Sequence, residues 1–295
     1  MADWLVEFPA LPRETLLAIR RSVDEGYREF SRTYGIAIED FFDPLLRFMI
    51  WFEQLLLQSP WWLIIAVVAA LAYGAARSLW MVVGVVCAFL LIGIFGMWED
   101  TMSTISIIFV CTMLAIVIGI PVGVLMARFD RMQSTITPVL DVMQTMPPFV
   151  YLIPVVMLLG IGRVPGVIAV VIYAIPPVIR LTNLGIRLVD KDVLEAANAF
   201  GANFRQRLFG VQIPLAMPNI MAGINQTIMM ALAMVVIASM IGVKGLGQPV
   251  LKAITNQYFT MGLLNGLAIV AIAIIFDRVS QAYGARIQRH RGVGH

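Results

Sequence analysis

The sequence predicts an all-α fold, a polytopic membrane bundle of about seven transmembrane helices. Composition is the first reason, because 60% of the 295 residues are hydrophobic and only 13% are charged, about half the charged fraction of a typical soluble domain. Mean hydropathy is correspondingly high, at +0.88. The other two reasons are the spacing of the long apolar blocks and the side of those blocks on which basic residues collect.

Seven apolar blocks are each long enough to cross roughly 30 Å of hydrocarbon once tilt is allowed. Short polar turns separate them, apart from one much longer polar segment between the fifth and sixth blocks. The predicted spans cover residues 60–76, 79–97, 102–127, 138–160, 165–185, 217–241 and 262–281.

Lysine and arginine predict the orientation of these spans, because cytoplasmic loops are enriched in both. If the long polar segment lies inside, twelve basic residues fall on the inner side and three on the outer side. The N terminus is then outside and the C terminus inside. The inner set is Arg77, Arg128, Arg131, Arg180, Arg187, Lys191, Arg205, Arg207, Arg278, Arg286, Arg289 and Arg291, and the outer set is Arg163, Lys244 and Lys252.

The residues ahead of the first block are too polar to span a membrane, but they have helical periodicity. Apolar residues recur at three- and four-residue steps within residues 1–35, which predicts an amphipathic helix. Residues 40–57 predict a second helix, either lying in the membrane interface or packed along the outside of the bundle. We expect an external tail over 1–59, a transmembrane domain over 60–285 and an inner basic tail over 286–295. A cleaved signal peptide is not expected, because no basic stretch followed by an apolar core opens the chain.

The residue types present exclude several kinds of chemistry. Cys87 and Cys111 lie inside apolar runs, where we expect small buried side chains rather than a disulfide or metal ligands. Both histidines, His290 and His295, lie at the C terminus, so no metal cluster is expected. The chain has no G-x-x-x-x-G-K-[ST] loop for nucleotide phosphates. We therefore expect a protein that is not an enzyme, carries no cofactor of its own and has no nucleic-acid partner.

The long polar segment reads EAANAFGANFRQRLFGVQIP. It begins on a helix-forming background, is broken by a glycine, continues with a short basic stretch and ends at a proline. Its pattern predicts a helix, a tight turn, a second short helix and a proline exit outside the bilayer. The marked residues are, in order, Glu195, Ala196, Ala197, Gly201, Arg205, Arg207 and Pro214.

This order resembles the cytoplasmic coupling loop of bacterial ABC-importer permeases. The shared pattern is Glu-Ala-Ala, three residues, Gly, nine residues, then apolar-any-apolar-Pro, with Val211 and Ile213 as mild departures from the family's usual Ile and Leu. The resemblance implies that residues 187–216 insert into a cleft of a separate ATPase subunit. It also implies that small side chains at Ala196 and Ala197 allow close approach and that Gly201 permits the turn. The implied coupling residues are Glu195, Ala196, Ala197, Gly201, Arg205 and Pro214.

Three further segments, residues 144–154, 179–186 and 211–248, resemble the glycine betaine/proline branch of that family, and the likeness covers roughly residues 36–281. It implies a type I importer fold in the bacterial inner membrane, working as a pair of permease copies. Two ATPase subunits that bind ATP and magnesium, and an external solute-binding protein, are the other implied partners. The implied solute is glycine betaine or a related osmolyte, with proline, choline, carnitine and dimethylsulfoniopropionate left open.

Polar residues and prolines in the fourth block are candidates for lining the translocation path. An acid in a span usually faces the bundle interior, and a proline-broken helix is tolerated where it lines a cavity. For Asp141 the favoured alternative is structural, an ion pair with Arg128, Arg131 or Arg187 at the inner surface. The candidates are Asp141, Gln144, Thr145, Pro147, Phe149 and Tyr151.

The sixth block adds Asn225, Gln226 and Thr227, which either form hydrogen bonds between helices or contact a polar solute. After this block, the glycines of residues 242–247 predict a flexible outer turn, either re-entrant or part of a surface for a delivery protein. A secondary carrier driven by an ion gradient is the rival function, but it would need several acids in the spans. A membrane-embedded enzyme is less consistent still, since the spans contain no histidine.

Overall fold

Helices form all the regular structure in the part of the chain that the computed structural model describes, residues 11–289, with side-chain surroundings for residues 11–284. Both histidines, Arg291 and most of the predicted inner tail lie outside the described residues. The helices are α1 Arg13–Gln58, α2 Trp61–Ala76, α3 Leu79–Ile94, α4 Trp98–Arg128, α5 Asp130–Thr145, α6 Pro148–Leu159, α7 Arg163–Ala174, α8 Pro176–Arg187, α9 Lys191–Ala199, α10 Phe204–Arg207, α11 Ile213–Ala238, α12 Gly247–Asn256 and α13 Phe259–Arg289.

Four helical stretches among the described residues are long and apolar enough to cross a membrane: Trp98–Arg128, Arg163–Arg187, Phe204–Ile241 and Phe259–Gly284. They coincide with the third, fifth, sixth and seventh predicted spans. Two sharply bent helix pairs bring the number to six if each pair counts as one span. The helix α3, Leu79–Ile94, is apolar but shorter. The helical fold is thus confirmed, while seven spans and their orientation stay predictions.

The centre of the bundle is helix α8, which packs closely against α4 on one side and α11 on the other. On α4, Gly119 and Gly123 are spaced as in the small-residue motifs of membrane helices. A Cβ at Gly123 would lie 2.7 Å from the carbonyl oxygen of Ile179 and 2.7 Å from Cβ of Thr182. Only a residue without a side chain allows the two backbones to approach this closely.

The fourth predicted span, residues 138–160, is not a single kinked helix. Helices α5 and α6 meet at an angle of 102° at the break between Thr145 and Pro148. Met146 is extended here, because a residue before proline is driven out of the helical region. The prolines therefore turn the chain through a right angle, where the sequence analysis expected a bend within one span.

Residues 13–58 form one continuous helix, α1, where the sequence predicts two segments. Its second half packs against α4 and α7, with Met49 buried at 1% exposure. Farther toward the N terminus it contacts α6, since Ser31 Oγ donates to the carbonyl of Leu158 at 3.0 Å and Tyr27 OH donates to that of Pro154. The carbonyl of Leu158 belongs to the last turn of α6, where the helix itself provides no donor.

A buried ion pair fixes the C-terminal part of α1 to the bundle. The carboxylate of Glu53 accepts from Nη1 of Arg163 at 2.5 Å and from Oγ of Ser103 at 2.7 Å. The side chain of Glu53 is 9% exposed and that of Arg163 is 25% exposed. These contacts join three helices, α1, α4 and α7, at one point.

The two cysteines differ in their surroundings. Cys111 is buried, as the sequence predicts, but Cys87 on α3 is exposed, so that expectation was wrong. The helix α3 lies at the edge of the bundle, and Val83, Leu90 and Ile94 on it are exposed as well. This apolar surface suits contact with lipid, which periodicity alone does not distinguish from burial in protein.

Replacing Glu53 by Ala should destabilise the protein by about 3 kcal/mol, because it leaves a partly buried guanidinium without its carboxylate. Asp43→Ala is the matched control on the same helix, since Asp43 pairs with Arg47, whose side chain is 80% exposed. An exposed pair of this kind contributes less than about 1 kcal/mol. Thermal unfolding of the purified chain in detergent measures both, and equal losses in the two variants would contradict a structural role for the buried pair.

Candidate functional site

The polar segment identified in the sequence leaves the bundle after α8 and returns to it at α11. We call residues 191–207, which comprise α9, a turn and α10, the coupling segment. Helix α9 begins at Asp190, whose carboxylate accepts the backbone N–H of Asp192 at 3.0 Å. This is a standard N-cap, and it stabilises a helix of only nine residues.

Gly201 makes the turn between the two helices. Its φ is +74°, in the left-handed region, as the sequence analysis expected. The N–H of Gly201 donates to the carbonyl of Asn198 at 2.9 Å, and that of Ala202 donates to Ala197 at 3.0 Å. These two bonds are those of a Schellman motif, which ends a helix and satisfies its last carbonyls.

The second short helix of the coupling segment is fixed at both ends. Asn203 and Gln206 form a capping box, each side chain accepting the other's backbone N–H at 2.9 Å. Arg207 donates to the side chain of Asn198 at 3.0 Å, which joins α10 to α9. The turn is therefore held in one shape by local hydrogen bonds.

Pro214 does not end the helix, contrary to the predicted proline exit. The chain stays helical from Phe204 to Ile241. Proline has no N–H, so the carbonyl four residues earlier would lack its donor in a regular α-helix. Residues 208–212 instead form a π-helical stretch, in which the N–H of Ile213 donates to Leu208. This wider turn absorbs the proline and lets α10 continue into α11.

Contacts with α4 and α5 anchor the base of the coupling segment. The guanidinium of Arg128, at the end of α4, lies 4.1 Å from the ring centre of Phe204, a cation–π distance. Arg187, at the end of α8, donates to the carbonyl of Met126 at 2.9 Å and to Asp130 at 2.7 Å. Helix α10 of the segment and the end of α8 that precedes it are thus both tied to the end of α4, and α8 also to the start of α5.

The outer surface of α9 carries a large apolar group that the sequence analysis did not select. Phe200 is 92% exposed, and Val193 on the same helix is 41% exposed. Glu195, Ala196 and Arg205 are exposed too. An aromatic residue directly before the glycine of a polar segment was the available signal.

Asp141 forms an ion pair, but with Arg180 on α8 and not with any of the three arginines named in the sequence analysis. Arg187, one of those three, pairs with Asp130 instead. The chain turns sharply at Met146, and α5 lies beside α8, where Arg180 and Arg187 are seven residues apart. Two ion pairs therefore connect α5 and α8, one near each end of α5.

The other candidates from the fourth block divide into two groups. Gln144, Thr145, Pro147 and Phe149 are exposed at the corner between α5 and α6. Tyr151 is 4% exposed, and its hydroxyl donates to the carbonyl of Met143. It is buried within a single copy of the chain, and its assignment to the path stays a prediction.

The three candidates on α11 also have separate surroundings. Gln226 is exposed, Thr227 is buried, and Asn225 donates to Asp277 on α13 at 2.9 Å. Of the two alternatives for Asn225, a hydrogen bond between helices or contact with a solute, the structure shows the hydrogen bond. Asp277 was missed, although it is an acid inside the seventh predicted span.

The glycine-rich turn after α11 is packed rather than flexible. Leu246 is fully buried, and its N–H donates to Oγ1 of Thr104 at 2.9 Å. The turn leads into α12, which packs against α13. Together with the ends of α1, α4 and α7 it borders a cleft of about 490 Å³, lined in part by Glu53, Glu99, Asp100, Arg163, Lys244 and Gln248.

The fold resembles that of a solved ABC transporter. Inward-facing structures of the MetNI methionine ABC transporter include a chain that superimposes with a TM-score of 0.52 and 22% identity. The match covers 64% of this chain and 92% of that one. At this identity the similarity concerns the fold alone.

Relatives found by sequence match over a larger share of this chain than the solved structure does. The glycine betaine/proline betaine permease protein ProW of Escherichia coli is 44% identical, covering 99% of this chain and 84% of the relative. The glycine betaine/carnitine permease protein GbuB of Listeria monocytogenes is 46% identical, covering 78% and 82%. Residues 119–289 match the family model described as the inner membrane component of binding-protein-dependent transport systems. The chain therefore belongs to this family and is a multi-pass inner-membrane permease component of an ABC importer.

Proposed function

We propose that this chain forms the membrane path of an ATP-driven importer for glycine betaine or a related zwitterionic or quaternary ammonium osmolyte. The observation that carries the proposal is the exposed coupling segment, which continues directly into the membrane helix α11. The two relatives above are named for betaines and carnitine, which combine a quaternary ammonium group with a carboxylate. A path for such solutes needs room for a bulky neutral molecule rather than fixed charges of one sign.

In this proposal two ATP-binding subunits lie against α9 and hydrolyse ATP with magnesium, while the permease supplies no catalytic group. The exposed ring of Phe200 would enter their cleft beside Glu195 and Ala196, with Gly201 turning the chain back. The proposed orientation, with the N terminus outside, puts this segment in the cytoplasm. An external binding protein would deliver the solute at the opposite face.

A second copy of the chain would complete the path. Gln144, Thr145 and Gln226 are exposed on one copy, although polar side chains are costly against lipid. A homodimer that faces these residues toward a shared aqueous path would remove that cost. Phe149, which is 53% exposed, would lie at the same corner.

A secondary carrier that works alone is not supported. It would require acids able to bind and release ions within the spans. Asp141 is already paired with Arg180, and Asp277 is held by amide donors. Such a carrier would also leave the coupling segment without a role.

Uptake of labelled glycine betaine into proteoliposomes tests this function. The vesicles would contain this chain, its ATPase and its binding protein, with ATP present or absent on the ATPase side. We expect uptake only when ATP and the binding protein are both present. Uptake without the ATPase would contradict the proposal, and ATP-dependent uptake of choline in place of betaine would correct the solute alone.

Replacing Gly201 by Val should lower ATP-dependent uptake about tenfold while the protein still inserts and assembles. A Cβ at Gly201 would meet nothing within 4 Å, so the change acts through the backbone, where a left-handed conformation costs roughly 1–2 kcal/mol.

Gly266→Val on α13 is the matched control, since its Cβ also meets nothing within 4 Å and its φ is not positive. The ratio of solute carried to ATP hydrolysed is the measurement. If the Gly201 variant is lost from the membrane, or if both variants transport equally, a coupling role for this turn is wrong.

A further inference from the structure

Asp277 is an acid in the membrane-crossing part of α13, and the functions discussed so far do not use it. Its carboxylate oxygen Oδ1 accepts from Nδ2 of Asn225 at 2.9 Å and from Nε2 of Gln281 at 2.6 Å. Ser280 donates to the amide oxygen of Asn225, so both ends of that amide are bonded. No lysine or arginine within residues 11–284 forms an ion pair with Asp277.

Among the residues whose side chains are described, 11–284, this carboxylate is held by neutral donors, an unusual way to join two membrane helices. Insertion of an acid into a membrane is unfavourable, and a pair of neutral amides would join α11 to α13 without that cost. The carboxylate offers Asn225 a hydrogen-bond acceptor that the packing of apolar side chains alone would not supply.

The position of Asn225 shows why a strong contact matters there. It lies on the same unbroken helix as Phe204, the first residue of α10, roughly 30 Å along the axis. A displacement of the coupling segment therefore reaches Asn225 through a single helix. No loop intervenes that could absorb it.

Helix α13 connects this point to the rest of the bundle. Its residues Ile275 and Val279 pack against the cluster formed by α2, α3 and α4, which includes Ile64 and Phe89. At its other end, a Cβ on Gly262 would lie 3.1 Å from Cβ of Ala253 on α12. Movement of α13 would consequently reach α2 and α3 on one side and α12 on the other.

We propose that Asn225, Asp277 and Ser280 form a clamp that makes α13 move together with α11 when the ATPase displaces the coupling segment. The proposal rests on the proposed function in one respect, namely that ATP drives this displacement. Asp277 acts as a positioning residue, because it holds two helices together and contacts neither solute nor nucleotide. Loss of this contact should lower the amount of solute carried for each ATP hydrolysed.

The test compares Asp277→Leu, Asp277→Asn, Asn225→Ala and the double variant Asp277→Leu/Asn225→Ala in the assembled importer. Asp277→Leu and Asn225→Ala should each lower the solute carried per ATP hydrolysed about fivefold, while ATP hydrolysis continues. The double variant should be no worse than either single one, since both remove the same contact. Asp277→Asn keeps an acceptor oxygen, so it should lower the solute carried per ATP hydrolysed less than Asp277→Leu does.

Asn265→Ala is the matched control, because Asn265 is a buried amide on the same helix that donates only within α13, to the carbonyl of Met261 at 2.9 Å. An unchanged ratio in this control, with a lowered ratio in the clamp variants, supports the proposal. Equal losses in the control and the clamp variants would overturn it, as would unchanged ratios throughout. If Asp277→Leu does not assemble, Asp277→Asn and Asn225→Ala decide by the same criteria.

Hydrogen exchange of α13 with and without ATP gives a readout that does not depend on the solute. In the wild type, ATP should change exchange in both α11 and α13, whereas in Asp277→Leu it should change exchange in α11 alone. Identical responses of α13 in the two proteins would overturn the clamp. Absence of betaine uptake by the wild type would instead contradict the proposed function and leave this exchange comparison to decide on the clamp.

Discussion

The close approach of α8 to its two neighbours is the constraint on which the rest of the structure depends. Membrane helices gain no hydrophobic energy by leaving lipid, so their association relies on close packing and on hydrogen bonds. The glycines of α4 let α8 lie against its backbone, and Gly223 does the same on α11, where a Cβ would lie 3.2 Å from the carbonyl of Pro177. The coupling segment lies between α8 and α11 in the chain. The two helices that carry it are therefore held side by side before any partner binds.

Charged groups reinforce this packing where segments change direction. The ion pairs of Asp130 with Arg187 and of Asp141 with Arg180 hold α5 beside α8, and the pair of Glu53 with Arg163 holds α1 at the first residue of α7. Each pair connects elements far apart in sequence, so each limits how the helices can rearrange. Packing defines the centre of the bundle, and charges define the positions of the segments around it.

Sequence reasoning located the elements that depend on local chemistry and missed those that depend on tertiary contacts. Gly201 was identifiable because a glycine inside a polar helical segment marks a left-handed turn. The direction of the chain after Met146 could not be predicted, because a double proline permits either a kink or a right-angle turn. Only the packing of α5 determines which of the two forms. The partner of Asp141 was missed for the same reason, because the list of nearby arginines assumed a straight span.

The continuity of α10 and α11 is a second case. Proline usually ends a helix, and no local pattern reveals that a π-helical stretch will absorb one. Similarly, Asp277 was overlooked because a single acid does not lower the mean hydropathy of its span enough to draw attention. These incorrect predictions concern the contacts between helices, on which the movements of a transporter depend.

The unbroken helix from Phe204 to Ile241 has 38 residues, so it is about 57 Å long. That is nearly twice the roughly 30 Å thickness of the hydrocarbon layer. Gly223, where α11 rests on α8, lies 19 residues from Phe204 and 18 from Ile241, near the middle of this helix. A helix of this length must tilt or extend beyond the hydrocarbon layer, so its α10 end can belong both to the coupling segment and to the same helix that crosses the membrane.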